Sequence, residues 1–82
     1  MTPIRVRLFA RARDLVGADY VDVPLAEGAT VAELRVRLAA AYPALRALLR
    51  RAAVAVNEDF AGDSARIPPE ADVALLPPVS GG

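Results

Sequence analysis

Thr30-Val31-Ala32-Glu33-Leu34-Arg35-Val36-Arg37-Leu38-Ala39-Ala40-Ala41-Tyr42-Pro43 sets the architecture of this chain. Thr30 followed three residues later by Glu33 forms a capping box, in which hydroxyl and carboxylate each satisfy a backbone N–H left free at a helix start. Val31, Leu34, Leu38 and Ala41/Tyr42 recur at helical spacing, while Glu33, Arg35 and Arg37 fall off that stripe. Glu33 and Arg37 stand one turn apart, a pairing worth ~0.3 kcal/mol. Pro43 disfavours the α region at Tyr42, so the helix ends there.

Strand patterns lie on both sides of this helix. Upstream, Ile4-Arg5-Val6-Arg7-Leu8-Phe9 alternates with period two, which puts Ile4, Val6 and Leu8 on one face and Arg5, Arg7 and Phe9 on the other. Ala10 to Val16 is rich in helix formers, and Gly17 supplies a left-handed stop. Tyr20-Val21-Asp22-Val23 reads as a second strand ended by Pro24. The short connection predicts that it pairs at an edge beside the first strand. Downstream, Ala44 to Arg51 allows a further turn of helix. Val54-Ala55-Val56 is a short strand leading into the turn Asn57-Glu58-Asp59, with Phe60 expected to return to the core. Asp72-Val73-Ala74-Leu75-Leu76 is the last strand, and Pro77-Pro78 forces the chain out of it. One long helix among these strands predicts an α+β sandwich, with the helix across one face of a mixed sheet. The first and last strands are the most apolar and are expected side by side at the sheet centre. If they run parallel, the tail leaves at the Phe9 end. Residues 1–76 then form one domain and 77–82 a flexible tail.

Composition narrows the chemistry. The 82 residues include no Cys, His, Trp or Lys, and the hydroxyls besides Tyr20 and Tyr42 are Thr2, Thr30, Ser64 and Ser80. A catalytic triad or Cys–His pair needs an imidazole or equivalent base beside its nucleophile, and none can be assembled. Imidazole and thiolate metal sites are excluded likewise. Ten arginines balance ten acidic residues, which argues against a nucleic-acid binder. No apolar run is long enough for a signal peptide or a bilayer span, so a soluble cytoplasmic protein with no membrane partner is expected. Of the 45 apolar residues 18 are Ala, leaving one thin core to be held by packing without disulfides.

What remains is the end of the sequence, Pro77-Pro78-Val79-Ser80-Gly81-Gly82. Pro77-Pro78 favours a stiff, extended exit. Six extended residues reach roughly 20 Å, enough to enter a pocket in another protein. Without a Cβ, Gly81 and Gly82 pass a narrow channel and leave the terminal carboxylate uncovered. That carboxylate is ionised and a poor electrophile, so a partner must activate it, most simply by adenylation. A frayed terminus is the alternative for a bare diglycine, but here the tail springs directly from a core strand.

The block Phe9-Ala10, Arg13-Asp14-Leu15-Val16-Gly17, the Ala55-Val56-Asn57 segment and the run Asp72 to Gly82 together resemble the small subunit of molybdopterin synthase, the sulfur carrier of molybdenum-cofactor synthesis. The likeness covers essentially the whole chain. Asp14 stands where Glu is usual, Leu75 and Leu76 where aromatics are frequent, and Ala71 where a turn glycine is common. The resemblance implies a β-grasp, ubiquitin-like fold and a non-catalytic carrier subunit of a sulfurtransferase complex. It implies that an adenylating enzyme related to ubiquitin activators uses ATP and Mg²⁺ to activate Gly82. A sulfur donor protein then forms a thiocarboxylate there, and the large synthase subunit, in a heterotetramer, receives the tail. The chain itself binds no cofactor in this reading. Gly82 carries sulfur, Gly81 gives clearance, and Phe9, Arg13, Leu76, Pro77, Pro78, Val79 and Ser80 meet partners.

Two placements of Phe9 satisfy strand parity: beneath its own short helix, or with Leu76 in an exposed patch beside the tail. The resemblance favours the patch. Arg5, Arg7, Arg11 and Arg13 read as a solvated face or as a rim for acidic partner residues. Asp14, Asp59 and Asp63 form no paired acid site. Beside the molybdopterin carrier stand three other readings. These are a carrier for thiamin thiazole, thiolated tRNA or cysteine, a ubiquitin-like protein modifier, and an interaction domain with an inert tail.

Overall fold

In the computed structural model, which describes residues 2–77, alternation in the first strand works as its sequence requires. In β1 (Thr2–Leu8), Ile4, Val6 and Leu8 are buried and their neighbours exposed. After α1 (Ala10–Val16), Gly17 at φ 80° turns the chain back, and its N–H closes on the Arg13 carbonyl at 2.7 Å. β2 (Tyr20–Leu25) pairs antiparallel with β1. Pro24 does not end the strand as expected: it lies within β2 opposite Pro3, and the pairing runs on to Leu25. An edge strand tolerates proline because its outward N–H has no ladder partner to lose.

α2 (Val31–Ala41) buries Val31, Leu34 and Leu38 completely and ends before Pro43, as its sequence predicts. Its start is satisfied in an unpredicted way. The Thr30 hydroxyl accepts from the Glu33 N–H at 3.3 Å. The N–H groups of Val31 and Ala32 donate to the carbonyls of Ala65 and Asp63 at 2.9 and 3.0 Å. The 62–65 loop therefore caps α2, and among the described residues no bond runs from the Glu33 carboxylate back to Thr30. Glu33 and Arg37 do not form the expected ion pair either; Arg35 is the arginine engaged. Its guanidinium reaches Asp63 at 2.9 Å and the Leu49 carbonyl at 2.6 Å. It thereby ties α2 to the end of α3 (Arg46–Leu49), which follows a 3₁₀ turn at Pro43–Leu45.

β3 (Ala53–Val56), β4 (Asp59–Ala61) and β5 (Val73–Leu76) complete a five-stranded sheet in the order β2-β1-β5-β3-β4. β5 is central and runs parallel to β1, with Val6, Arg7 and Leu8 level with Val73, Ala74 and Leu75. The two most apolar strands are neighbours, because a strand flanked on both sides is the most deeply buried. Helices cover one face, where the core joins β1, β2, β3 and β5 to Leu34, Leu38, Leu45 and Leu49. The antiparallel β3–β4 hairpin is the element that the sequence did not announce. Asn57 and Glu58 turn it with φ 51° and 72°, positive at both central positions as a two-residue turn of the I′ kind demands.

Candidate functional site

The root of the tail is fixed by the centre of the sheet. Val73 and Leu75 face the helices at 0% and 1% exposure, and Leu76 and Pro77 carry the chain out at the end of β5. Since β5 parallels β1, this exit stands beside Phe9, which follows Leu8 in extended conformation (φ −130°, ψ 156°). Continuing the Leu8–Leu75 register by one step sets Phe9 level with Leu76. Phe9 is 39% exposed and Leu76 half-buried. Phe9 is therefore on the open side of the sheet, not sealed beneath α1, whose buried residue is Ala12. The strand-to-helix turn is tight: Ala10 takes φ 51°, a left-handed value unusual for an L-residue.

The open face of the sheet carries one row across all five strands. Tyr20 lies opposite Arg7, Arg7 is level with Ala74, Ala74 opposes Ala55, and Ala55 opposes Phe60. Phe60, expected in the core, is 70% exposed. β4 is three residues long and shows no period in the sequence, and its pairing with β3 turns Phe60 to the face opposite the helices. Ala74 and Ala55 form a low floor between larger side chains, outside the helix-covered core. The result is a shallow apolar stretch from Phe60 over Ala55 and Ala74, bounded on its far side by Arg7 and Tyr20 and open at the end where Phe9 and Leu76 stand level. Exposed apolar side chains grouped in this way are candidate partner contacts.

The arginines beside it are largely committed within the chain. The Arg5 guanidinium stacks 3.9 Å from the Tyr20 ring centre and reaches Asp22 at 3.2 Å. Arg7 bonds Asp72 at 3.0 Å and lies 5.8 Å from the Phe9 ring centre. Arg13, in the last turn of α1, approaches Asp19 at 3.9 Å. Every one of these side chains is about half exposed or more, so the stabilising effect of each pair is at most ~1 kcal/mol. The four arginines do not form one free rim; Arg11 alone among them has no carboxylate within 4 Å among the described residues.

Asn57 is a residue whose role the sequence did not disclose. Its side-chain oxygen accepts from the Asp72 N–H at 2.9 Å, and its own N–H donates to the Asp72 carbonyl at 2.8 Å. The hairpin turn is thereby tied to the chain as it enters β5. The only available signal was an Asn at the start of a turn. Among the described residues no group of acidic side chains is arranged to hold a metal ion. Pro78, Val79, Ser80, Gly81 and Gly82 lie outside the described residues.

A five-stranded mixed sheet with the last strand central and parallel to the first, and a long helix across one face, is the β-grasp of ubiquitin-like proteins. The profile of the ThiS family matches residues 6–82, and the chain belongs to that family. The chain is 34% identical over 79 residues to a molybdopterin synthase sulfur carrier subunit of Arabidopsis thaliana, covering 96% of this chain and 82% of the relative. The crystal structure of SAMP1 from Haloferax volcanii superposes with a TM-score of 0.81 at 28% identity, covering 99% of this chain and all of that one. A chain in the Helicobacter pylori complex of subunits 1 and 2 of the molybdopterin-converting factor shares the fold, with a TM-score of 0.67 at 22% identity over 99% of this chain and all of that one.

Proposed function

We propose that the chain is the sulfur-carrier subunit of molybdopterin synthase and holds sulfur as a thiocarboxylate on Gly82. The observation that carries this reading is the parallel β1–β5 pairing at the sheet centre. It plants the root of the diglycine tail in the most buried strand and directs it outward beside an exposed apolar face. The resemblance to carriers of that name supports the choice of pathway.

The chemistry follows from the weakness of a carboxylate as an electrophile. An adenylating partner joins the Gly82 carboxylate to the α-phosphate of ATP, with Mg²⁺ on the phosphates, and pyrophosphate leaves. The acyl adenylate is then open to attack by the outer sulfur of a persulfide on a sulfur donor protein, which displaces AMP. A thiol cleaves the resulting acyl disulfide, takes the donor's inner sulfur into a new disulfide and leaves the thiocarboxylate on Gly82. The apolar stretch from Phe60 to Ala74 docks on the large subunit while the tail enters its active site. There the carrier sulfur passes to a cyclic pyranopterin phosphate and the Gly82 carboxylate is restored. A dithiolene has two sulfur atoms and each tail carries one, so two loadings are consumed per product. A heterotetramer with two carriers fits that count. The chain contributes the tail, its aim and its docking face, and the partners contribute the catalytic groups.

The test is to recover the protein from its native host and measure its intact mass and that of its C-terminal peptide. An oxygen-to-sulfur exchange confined to Gly82 is expected, and the thiocarboxylate form mixed with the large subunit and the pyranopterin precursor yields dithiolene. Deleting Gly82, or adding a residue after it, abolishes product without changing the fold. Absence of dithiolene from the loaded wild-type protein, or a Gly82 isopeptide remnant on other proteins in place of thiocarboxylate, overturns the proposal.

A further inference from the structure

The helical side of the tail root has no part in the reading above. Between α1 and α3 runs an open groove of about 500 Å³, lined by Leu15, Ala47 and Leu48, with Arg11, Arg51 and Pro77 also in its wall. Leu15 is 38% exposed, a large apolar side chain left uncovered on a helix of two turns. Pro77 is the first residue of the tail, so a protein that takes the tail meets this groove at its root.

The charges around the groove are unbalanced although the chain is neutral. Among the described residues Arg5, Arg7, Arg13 and Arg35 each lie within 4 Å of a carboxylate. Arg66 donates to the Gly28 carbonyl at 3.0 Å. Arg11 and Arg51 have no such carboxylate among these residues, and Asp14, one turn along α1 from Arg11, does not close on it. Glu27 after β2, Glu58 in the β3–β4 turn and Glu70 ahead of β5 all sit at the opposite end of the sheet, where β1 and β5 begin. Asp14 and Asp19 also lie at the tail end, Asp19 beside Arg13, and Arg66 lies at the far end beside Gly28. With Arg11 and Arg51 counted the tail end is the more basic, and with the three glutamates the far end is the more acidic. An open apolar groove between two free guanidinium groups suits an apolar side chain flanked by carboxylates, and it is too open to enclose a small molecule.

We propose that the α1–α3 groove seats an acidic segment of the synthase large subunit, with carboxylates on Arg11 and Arg51 and an apolar side chain against Leu15 and Leu48. The proposal rests on the carrier function above and adds a second contact to the sheet face, so that the tail is held between two docked surfaces. Charges of this kind act chiefly on encounter, so Arg11→Glu and Arg51→Glu each slow association with the large subunit by about tenfold at low salt, and the gap narrows as salt screens it. Leu15→Ser speeds dissociation several-fold.

The experiment measures association and dissociation rates of full-length carrier and large subunit by stopped flow across a salt series. Arg37→Glu on α2 makes the same change in net charge away from the groove and serves as the control, with rates within twofold of wild type. Arg11→Gln and Arg51→Gln replace the reversals if melting temperature falls, and each retains a smaller slowing. If Arg11 and Arg51 variants associate like Arg37→Glu while wild type binds and makes dithiolene, the groove proposal is overturned and the function stands. The same holds if they weaken binding only to the adenylating enzyme. Failure of the wild-type protein to bind the large subunit removes the functional reading itself.

Discussion

Replacing Phe60 by Ala separates docking from folding. Phe60 is 70% exposed and stands on the outer hairpin strand β4, away from the helix-covered core. Its truncation takes little apolar area out of the folded chain, so stability changes by less than ~0.5 kcal/mol, the range of ordinary surface substitutions. The area available to a partner is larger. With roughly 200 Å² for a phenylalanine side chain, the exposed share is about 140 Å². At ~25 cal/mol per Å² its complete burial contributes about 3.5 kcal/mol, an upper figure. Alanine retains its Cβ contact and docking covers only part of the ring, leaving an expected loss of about 2 kcal/mol, or roughly thirtyfold in Kd. Calorimetric titration of the large subunit with wild type and Phe60→Ala reads this directly, with thermal melts as the companion measurement. Unchanged affinity shows that the Phe60 stretch is not a docking face. A fall in melting temperature of more than a few degrees refutes the placement of Phe60 outside the core.

Three further outcomes follow from local geometry. Glu58→Gly relieves a left-handed residue in the β3–β4 turn, a strain of ~1–2 kcal/mol for an L-residue. Set against the added chain entropy of glycine, about 0.5–1 kcal/mol, the melting temperature should rise by a few degrees, and dithiolene formation should not change because the turn is at the end remote from the tail. Asn57→Ala removes the bond to the Asp72 N–H and the residue best suited to its positive φ; chemical denaturation should show a loss of about 2 kcal/mol. Leu34→Ala, at a fully buried position of α2, costs about 3 kcal/mol, measured the same way.

Much of this arrangement was legible because local periodicity is a strong signal. The stripe of Val31, Leu34 and Leu38 and the alternation of Ile4, Val6 and Leu8 each specify an element and its buried face without reference to anything distant. The adjacency of β1 and β5 was legible from their apolarity alone. The hairpin was not, because β4 is three residues long and offers no period to read. That omission misplaced Phe60, the most exposed aromatic ring of the open face. The capping box was half right, since the 62–65 loop supplied carbonyls that no sequence spacing of three or four residues could reveal.

The sequence by itself excluded a Cys–His pair and an imidazole-based triad, since the chain has no Cys and no His, and made Gly82 the first candidate for activation. It also determined one long helix and the buried face of β1, and it ended the last strand at Pro77. Only the tertiary structure decided what surrounds that end. Arg7 and Asp72 lie 65 residues apart and pair because β1 and β5 are parallel neighbours. Arg11 and Arg51 come to one groove because α1 and α3 pack at the same end of the sheet. Such pairings depend on which elements meet and in what register, and that is fixed by burial summed over the whole chain.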